Sequence, residues 1–108
     1  MPKFEFRGKE YNNPVELALE VIGGKYKMPI LWRLNNRIHR YGELKKDLGK
    51  ITHKMLSGQL RELEEDGLIH RQVYPEVPPR VEYSISEKGR KAIPAIESLR
   101  NFGYEFKE

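Results

Sequence analysis

The fold of this chain is decided by residues 41–67, which read YGELKKDLGKITHKMLSGQLRELEEDG. The first part of this segment predicts a two-turn helix with Leu44 and Leu48 on one side. A three-residue, glycine-containing break follows, and then Thr52 supplies an N-cap hydroxyl for a longer helix that Gly67 closes. Two helices joined by so short a turn predict a helix-turn-helix unit.

The second of these helices, predicted over 52–66, has an apolar side and a polar side. On a helical wheel Leu56, Leu60 and Leu63 lie together and are expected to face the core. A separate arc is polar or lacks a side chain and contains His53, Lys54, Ser57, Gly58 and Arg61. Hydrogen-bond donors early and acids late are typical of a helix whose N-terminal half enters the DNA major groove.

Charge along the chain is polarised in the same region. The whole chain carries a formal charge of +4, and residues 36–61 hold seven Lys and Arg against two acids. Four acids follow at once, namely Glu62, Glu64, Glu65 and Asp66. This polarity suits a polyanion that docks on one side of the molecule. For the charge run considered alone, the alternative is a solvated helical face.

Composition limits the protein to one small domain. Of its 108 residues, 38% are hydrophobic and 33% are charged, which is typical of a soluble globular domain. No apolar run approaches the ~20 residues that span a bilayer. The N-terminus also lacks the apolar stretch of a secretory signal. We therefore expect a cytoplasmic protein without a membrane partner.

The sequence shows no signature of catalysis or metal binding. Its 108 residues include no cysteine, which excludes a thiol nucleophile or a thiol redox switch in this chain. His39, His53 and His70 lack the close spacing of metal ligands. Neither a glycine-rich phosphate loop nor a local Ser/His/Asp set is present. We expect neither an enzyme nor a cofactor or metal site.

The flanking segments predict a winged domain. Residues 3–7 alternate as a short strand or arm, and Asn13 before Pro14 is a helix start. After the helix-turn-helix, 68–74 and 80–85 predict an antiparallel hairpin with a proline-rich connector. Pro94 predicts a kink or a restart in the final helix.

The predicted architecture is a single winged helix-turn-helix domain over 1–108, α+β and mainly α, with a two-stranded wing and additional terminal helices. Its parts are an N-terminal arm (1–12), two first helices (13–35), the helix-turn-helix (41–67), the wing hairpin (68–85) and a C-terminal dimerisation helix (86–108).

Six segments resemble one family, the HxlR-type winged helix-turn-helix regulators of bacteria and archaea. They are GGKYK (23–27), ILW (30–32), RYGEL (40–44), ITHKML (51–56), LRELEEDGLI (60–69) and YPEVPPRVEYS (74–84). The likeness covers about residues 13–103, with the motifs in family order, and is more specific than a lone helix-turn-helix match.

The resemblance implies a homodimeric DNA-binding transcriptional regulator. In that family the first and last helices build the dimer, the second helix of the motif reads the major groove, and the wing reaches neighbouring DNA. Asn13 stands where many members carry a cysteine that in some senses oxidants or electrophiles, so that mechanism is not expected here. Tyr26 replaces the usual Trp, which we interpret as repacking.

Candidate DNA contacts follow from the polar arc together with the family position. On the reading helix they are Thr52, His53, Lys54, Ser57, Gly58 and Arg61. Candidates for contacts to the DNA backbone are Lys45, Lys46 and Lys50. On the wing, 74–80, the candidate is Arg80. Some of these residues also have explanations that do not involve DNA. Capping of the helix is sufficient to explain Thr52, and sequence drift explains Gly58 equally well. Arg71, also basic, can simply pair with Glu82 across the hairpin.

Candidate dimer contacts lie on the terminal helices, because the last helix carries more apolar surface than so small a domain can cover. They are Val15, Leu19, Ile96, Leu99, Phe102 and Phe106. A two-fold dimer predicts a pseudo-palindromic DNA operator. The alternatives are a winged-helix protein-interaction module without specific DNA binding, and a regulator that binds an unknown small-molecule effector in an interhelical pocket.

Overall fold

Short helices and strands follow one another closely along the chain. A computed structural model describes residues 4–108, so residues 1–3 of the predicted arm and Lys3 of its predicted strand lie outside the described residues. In chain order the elements are β1 (Phe4–Phe6), β2 (Lys9–Tyr11), α1 (Pro14–Ile22), α2 (Lys27–Asn36), β3 (His39–Arg40), α3 (Tyr41–Leu48), α4 (His53–Glu65), β4 (Ile69–Tyr74), β5 (Arg80–Ile85), α5 (Glu87–Arg90) and α6 (Ile93–Tyr104).

The N-terminal segment is a hairpin rather than a single strand. β1 pairs antiparallel with β2, and Phe4 lies opposite the buried Tyr11. Arg7 and Gly8 make the turn with positive φ angles of 53° and 76°. The short predicted strand is therefore β1, which is the first strand of a two-stranded hairpin.

Side-chain caps set the starts of α1 and α4 as predicted. The Asn13 side-chain oxygen accepts a hydrogen bond from the Glu16 amide at 2.8 Å. Thr52 Oγ1 accepts one from the Met55 amide at 3.1 Å, which satisfies one of the free donors at the start of α4. Gly67, with φ of 77°, follows α4 in the left-handed conformation that glycine adopts without strain.

Leucines of the helix-turn-helix pack into the core of the domain. Leu44, Leu56 and Leu63 have no exposed surface, and Leu60 is 2% exposed. They belong to one cluster with apolar side chains of α2, the sheet and α6, including Ile30, Leu31, Leu34, Ile69, Ile85 and Ile96. Burial of this side of α4 leaves its polar arc at the surface.

The wing hairpin is antiparallel, as predicted, and it carries a third strand. β5 lies between β4 and β3, and β3 pairs His39 with Tyr83 and Arg40 with Glu82. Two residues are too few to show an alternating pattern, so the sequence did not predict β3. In the β4–β5 register Glu82 lies opposite Gln72, so the expected cross-strand pairing of Arg71 with Glu82 is wrong.

The C-terminal segment, 86–108, was predicted to kink or restart at Pro94, and the restart is confirmed because the segment forms two helices. Ser86 caps α5, its Oγ accepting from the Gly89 amide at 3.0 Å. The chain restarts at α6, where Pro94 lies in the first turn and its missing N–H removes no helical hydrogen bond. Together these elements form an α+β, mainly α, winged helix-turn-helix fold.

Gly89 provides a test of this packing, because an added Cβ would overlap the Leu68 carbonyl and lie 2.8 Å from Ile85 Cγ1. We expect Gly89→Ala to lower the free energy of unfolding by ~1–3 kcal/mol. Gly42→Ala is the matched control, since a Cβ on this exposed helical glycine meets nothing within 4 Å. It should be neutral or stabilising by up to ~1 kcal/mol. Urea unfolding at equal protein concentration compares them, and equal effects would contradict the packing.

Candidate nucleic-acid interface

One side of α4, from its cap to Arg61, presents a continuous polar face. His53, Lys54, Ser57 and Arg61 are exposed, and Gly58 is partly exposed between them. Thr52, the cap, is exposed at the head of the same face. The structure therefore brings these six predicted residues together on one side of α4, and Thr52, His53 and Lys54 lie at the positive end of the helix dipole, which favours an anion.

The three predicted lysines lie just before α4 in the chain. Lys45 and Lys46 lie in the last turns of α3, and Lys50 lies in the turn that leads to α4. Lys46 and Lys50 are exposed, whereas Lys45 is partly buried. A long stem allows a lysine to pack its methylenes while its ammonium stays in water.

Tyr41 is a site residue that sequence reasoning missed. Its hydroxyl lies 3.0 Å from His53 Nδ1 and 3.4 Å from Ser57 Oγ, and it donates to the His53 carbonyl at 3.2 Å. The Tyr41 and His53 rings are also stacked, with centroids 5.8 Å apart. The first residue of α3 thus holds two side chains of the polar face. Because the contacts join residues 12 and 16 positions apart, no local pattern could have shown them.

Glu43 stabilises the start of α3. Its carboxylate accepts from the Arg40 amide at 2.8 Å and from Arg37 Nη1 at 3.2 Å. The hydrogen bond from the Arg40 amide, helped by the Arg37 charge, holds the pKa of Glu43 below its ordinary value. The carboxylate is therefore ionised at neutral pH and keeps α3 capped next to Tyr41.

The acids in the last turn of α4 pair away from the polar face. Arg7 of the N-terminal hairpin forms ion pairs with Glu65 and Asp66, and the buried Lys27 lies 3.5 Å from Glu62. These partners come from distant segments of the chain, the N-terminal hairpin and α2, and not from bases near the acids in the sequence. Glu62, Glu65 and Asp66 are thus paired at the C-terminal end of α4.

Arg80, the candidate DNA contact on the wing, is held by contacts within the hairpin. The Arg80 guanidinium lies 4.1 Å from the Tyr74 ring centroid and pairs with Glu82 at 3.4 Å and Glu76 at 3.6 Å. Two carboxylates offset its charge, so Arg80 does not extend freely from the wing. Arg71, exposed on β4, lines a cleft with Arg61 and Tyr41 instead, and Glu64 is the acid in that cleft.

The predicted dimer residues divide into two groups. Five are exposed by half or more of their surface, namely Val15, Leu19, Leu99, Phe102 and Phe106. Ile96, by contrast, is 3% exposed and packs in the core of its own chain, so it has no surface to offer a partner. It faces inward because this side of α6 packs against α2, whose Ile30, Leu31 and Leu34 belong to the same core cluster.

Two kinds of site are not found in the part of the chain that the structure describes. No group of three or more His, Asp or Glu side chains between residues 4 and 108 could hold a metal ion. Over the same residues, no helix is both long and apolar enough to span a bilayer.

A wing beside an exposed basic helix that follows a short helix and a tight turn defines the winged helix-turn-helix class of DNA-binding proteins. Within that class, the model of the HxlR-like helix-turn-helix family matches residues 21–108, and the chain belongs to this family. It is therefore a DNA-binding transcriptional regulator.

Relatives of known sequence support this membership. The uncharacterised HTH-type transcriptional regulator YdeP of Bacillus subtilis is 48% identical over 95 residues, which cover 88% of this chain and 74% of YdeP. An uncharacterised HTH-type transcriptional regulator of Methanothermobacter thermautotrophicus is 49% identical over 94 residues, covering 87% and 72% of the two chains.

Solved structures are similar over nearly the whole domain. The redox regulator HypR in its oxidised form matches with a TM-score of 0.84 at 42% identity, covering 89% of this chain and 99% of HypR. The reduced form of the transcriptional regulator YodB from Bacillus subtilis matches with a TM-score of 0.76 at 29% identity, covering 91% and 97%.

The Tyr41 contacts predict energetic coupling between α3 and α4. Tyr41→Phe removes the hydroxyl and should lower the free energy of unfolding by ~1 kcal/mol. His53→Ala removes one of its partners, so a double-mutant cycle should give a coupling energy of ~0.5–1 kcal/mol. Chemical denaturation of the four proteins measures it. Strictly additive effects would show that the contact contributes nothing.

Proposed function

We propose that this chain acts as a homodimer that binds a pseudo-palindromic operator and so controls transcription of nearby genes. In this proposal α4, with its cap (52–66), reads the major groove, and the wing (74–80) contacts neighbouring DNA. The observation that carries it is the exposed polar face of α4, while three of the four acids that end the helix pair with Arg7 and Lys27.

Each side chain of the face suits a different kind of contact. Arg61 can grip a guanine edge with two hydrogen bonds, whereas Lys54 and Ser57 more often reach phosphates. Tyr41 positions His53 and Ser57, which lowers the conformational freedom that they lose on binding. Backbone phosphates are the expected partners of Thr52, Lys45, Lys46 and Lys50.

The wing contributes through a revised set of residues. Arg80, already paired with two carboxylates, is better suited to stiffen the hairpin than to provide a net charge for DNA. Arg71 lies in the same cleft as Arg61 and is exposed, so we assign it the cationic contact next to the reading helix.

Exposed apolar side chains support the homodimer. Leu19 on α1 and Leu99 on α6 line one apolar groove of about 500 Å³, and Phe102 continues along α6 beyond it. A second copy would cover these side chains, which are more than half exposed in a single chain. The two-fold axis would place two reading helices ~34–36 Å apart, one turn of DNA.

The proposal also bears on the cellular location of the protein and on the kind of signal to which it responds. We place the protein in the cytoplasm of a prokaryote, where operator DNA is accessible, in keeping with its Bacillus and Methanothermobacter relatives. HypR is described as a redox regulator. The 108 residues here contain no cysteine, so a response of this protein to a signal requires a chemistry other than thiol oxidation.

The test is binding to the DNA upstream of the chain's own gene and to a scrambled duplex, followed by fluorescence anisotropy over a salt series. Lys54→Glu with Arg61→Glu should weaken binding at least ~30-fold, because each lost contact is worth ~1–3 kcal/mol. The double variant should also flatten the salt dependence, since fewer counterions are released.

Two controls separate reading from general charge and from assembly. Arg90→Glu with Lys91→Glu makes the same change in net charge on exposed residues near α5 and should bind DNA nearly as the wild type does. Sedimentation should find the Lys54/Arg61 variant still dimeric, and Leu19→Glu monomeric. Unchanged DNA binding by the Lys54/Arg61 variant would refute α4 as the reading helix. No binding by the wild type at low salt would favour a protein-interaction module.

Gly58 distinguishes close DNA approach from sequence drift. A Cβ here meets nothing within 4 Å, so nothing in the described chain requires glycine. Gly58→Ala should therefore raise the free energy of unfolding by up to ~1 kcal/mol. If DNA approaches the helix closely at this point, the same variant binds its operator more weakly, and anisotropy measures the loss. A more stable variant with unchanged affinity would identify drift.

A further inference from the structure

A second groove, away from the polar face of α4, lies between α2, the end of α3 and α6. Its volume is about 470 Å³, within the ~300–1,000 Å³ typical of small-molecule sites. Tyr26, Met28, Trp32 and Leu99 provide an apolar and aromatic lining. This groove differs from the apolar groove of the proposed dimer, although Met28 and Leu99 border both.

Positive charge is concentrated around this lining. Lys25, Arg33 and Arg100 border the groove, and Asp47 is the acid beside them. The Asp47 carboxylate lies 3.7 Å from Nε2 of the buried His39. Within residues 4–108, no carboxylate lies within ion-pair distance of these three cations, which is unlike the situation of Arg80.

The cations are held in place by contacts that leave charge available. The Arg100 guanidinium lies 4.3 Å from the Trp32 ring centroid, and Lys25 Nζ lies 5.6 Å from that of Tyr26. Arg33 donates to the carbonyls of Pro29 and Asp47 at 3.2 and 3.4 Å. A guanidinium has five N–H donors, so Arg33 keeps donors for an anion.

We propose that this groove binds a small aromatic carboxylate. The planar ring packs against Trp32, Met28 and Leu99, where sulfur and aromatic surfaces make favourable contacts with it. The carboxylate pairs with Arg100 and Arg33, which border the same groove, in the charge-assisted geometry that guanidinium groups provide. Neither a neutral aromatic compound nor a small aliphatic acid satisfies both halves of the site.

The groove is placed to influence DNA binding, a step that rests on the proposed function. Arg33 of α2 contacts the end of α3, which is the first helix of the helix-turn-helix, whereas Arg100 belongs to α6 of the proposed dimer. A ligand that bridges the two arginines favours one arrangement of the reading helices relative to the dimer axis. Ligand and operator then alter each other's affinity.

Binding can be measured without DNA, since Trp32 is the sole tryptophan and lies in the groove. We would titrate 2-naphthoate into the full chain by calorimetry and follow Trp32 fluorescence. Saturable binding is expected, and 2-naphthamide, which has the same ring without the charge, should bind about tenfold or more weakly. Acetate should not compete. Equal binding of the acid and the amide, or no saturable binding, overturns the site.

Arg100→Met tests the residue that provides the charge. Because Arg100 is exposed, the variant should fold, and far-ultraviolet circular dichroism checks this. We expect 2-naphthoate to bind it about tenfold or more weakly. Arg90→Met, the same change at an exposed position outside the groove, should bind as the wild type does. If Arg100→Met keeps its 2-naphthoate affinity and loses DNA affinity instead, the cation belongs to the DNA interface and the proposal is wrong.

The final arm compares wild-type affinity for operator DNA with and without saturating 2-naphthoate. A shift of about fivefold or more, abolished in Arg100→Met, supports coupling. An unchanged affinity refutes coupling and leaves the site itself standing on the DNA-free titration. A chain that binds 2-naphthoate and no DNA refutes the proposed function alone.

Discussion

Burial of the leucines of the helix-turn-helix is the constraint on which the rest of the structure depends. Leu44 of α3 and Leu56 and Leu63 of α4 have no exposed surface. A helix with one side so completely buried has no rotational freedom, because turning it would expose leucine and bury charge. The polar face of α4 is thus held outward by apolar packing on the opposite side.

Ion pairs then determine how charge is distributed along α4. Arg7 and Lys27 draw the acids of the last turn of α4 toward the N-terminal hairpin and α2. In each of these two pairs one partner is buried, Asp66 with Arg7 and Lys27 with Glu62, so the pairs also fix where charge remains on the surface. With acids compensated at one end, the other end of α4 is a basic surface, and Tyr41 orders part of that surface through His53.

Two arginines placed over aromatic rings show how neighbouring charges decide a role. Arg80 over Tyr74 is flanked by Glu76 and Glu82, which offset its charge and make it part of the wing's own structure. Arg100 also lies over a ring, that of Trp32, but it borders an open groove where Arg80 has two carboxylates. The same type of contact therefore supports a stiff hairpin in one case and a candidate anion site in the other.

Local patterns determined the helix-turn-helix, its caps and the polar arc of α4, because leucine spacing and capping side chains act within a few residues of one another. Only the tertiary structure decided the rest. β3 is too short to show alternation, and Ile96 faces inward because α2 covers it. Arg71 lines a cleft with Arg61 because β4 packs beside α4. Tyr41 meets Ser57 across the turn between α3 and α4, and the groove at Trp32 needs three helices. These features depend on contacts between distant segments, which no local spacing encodes.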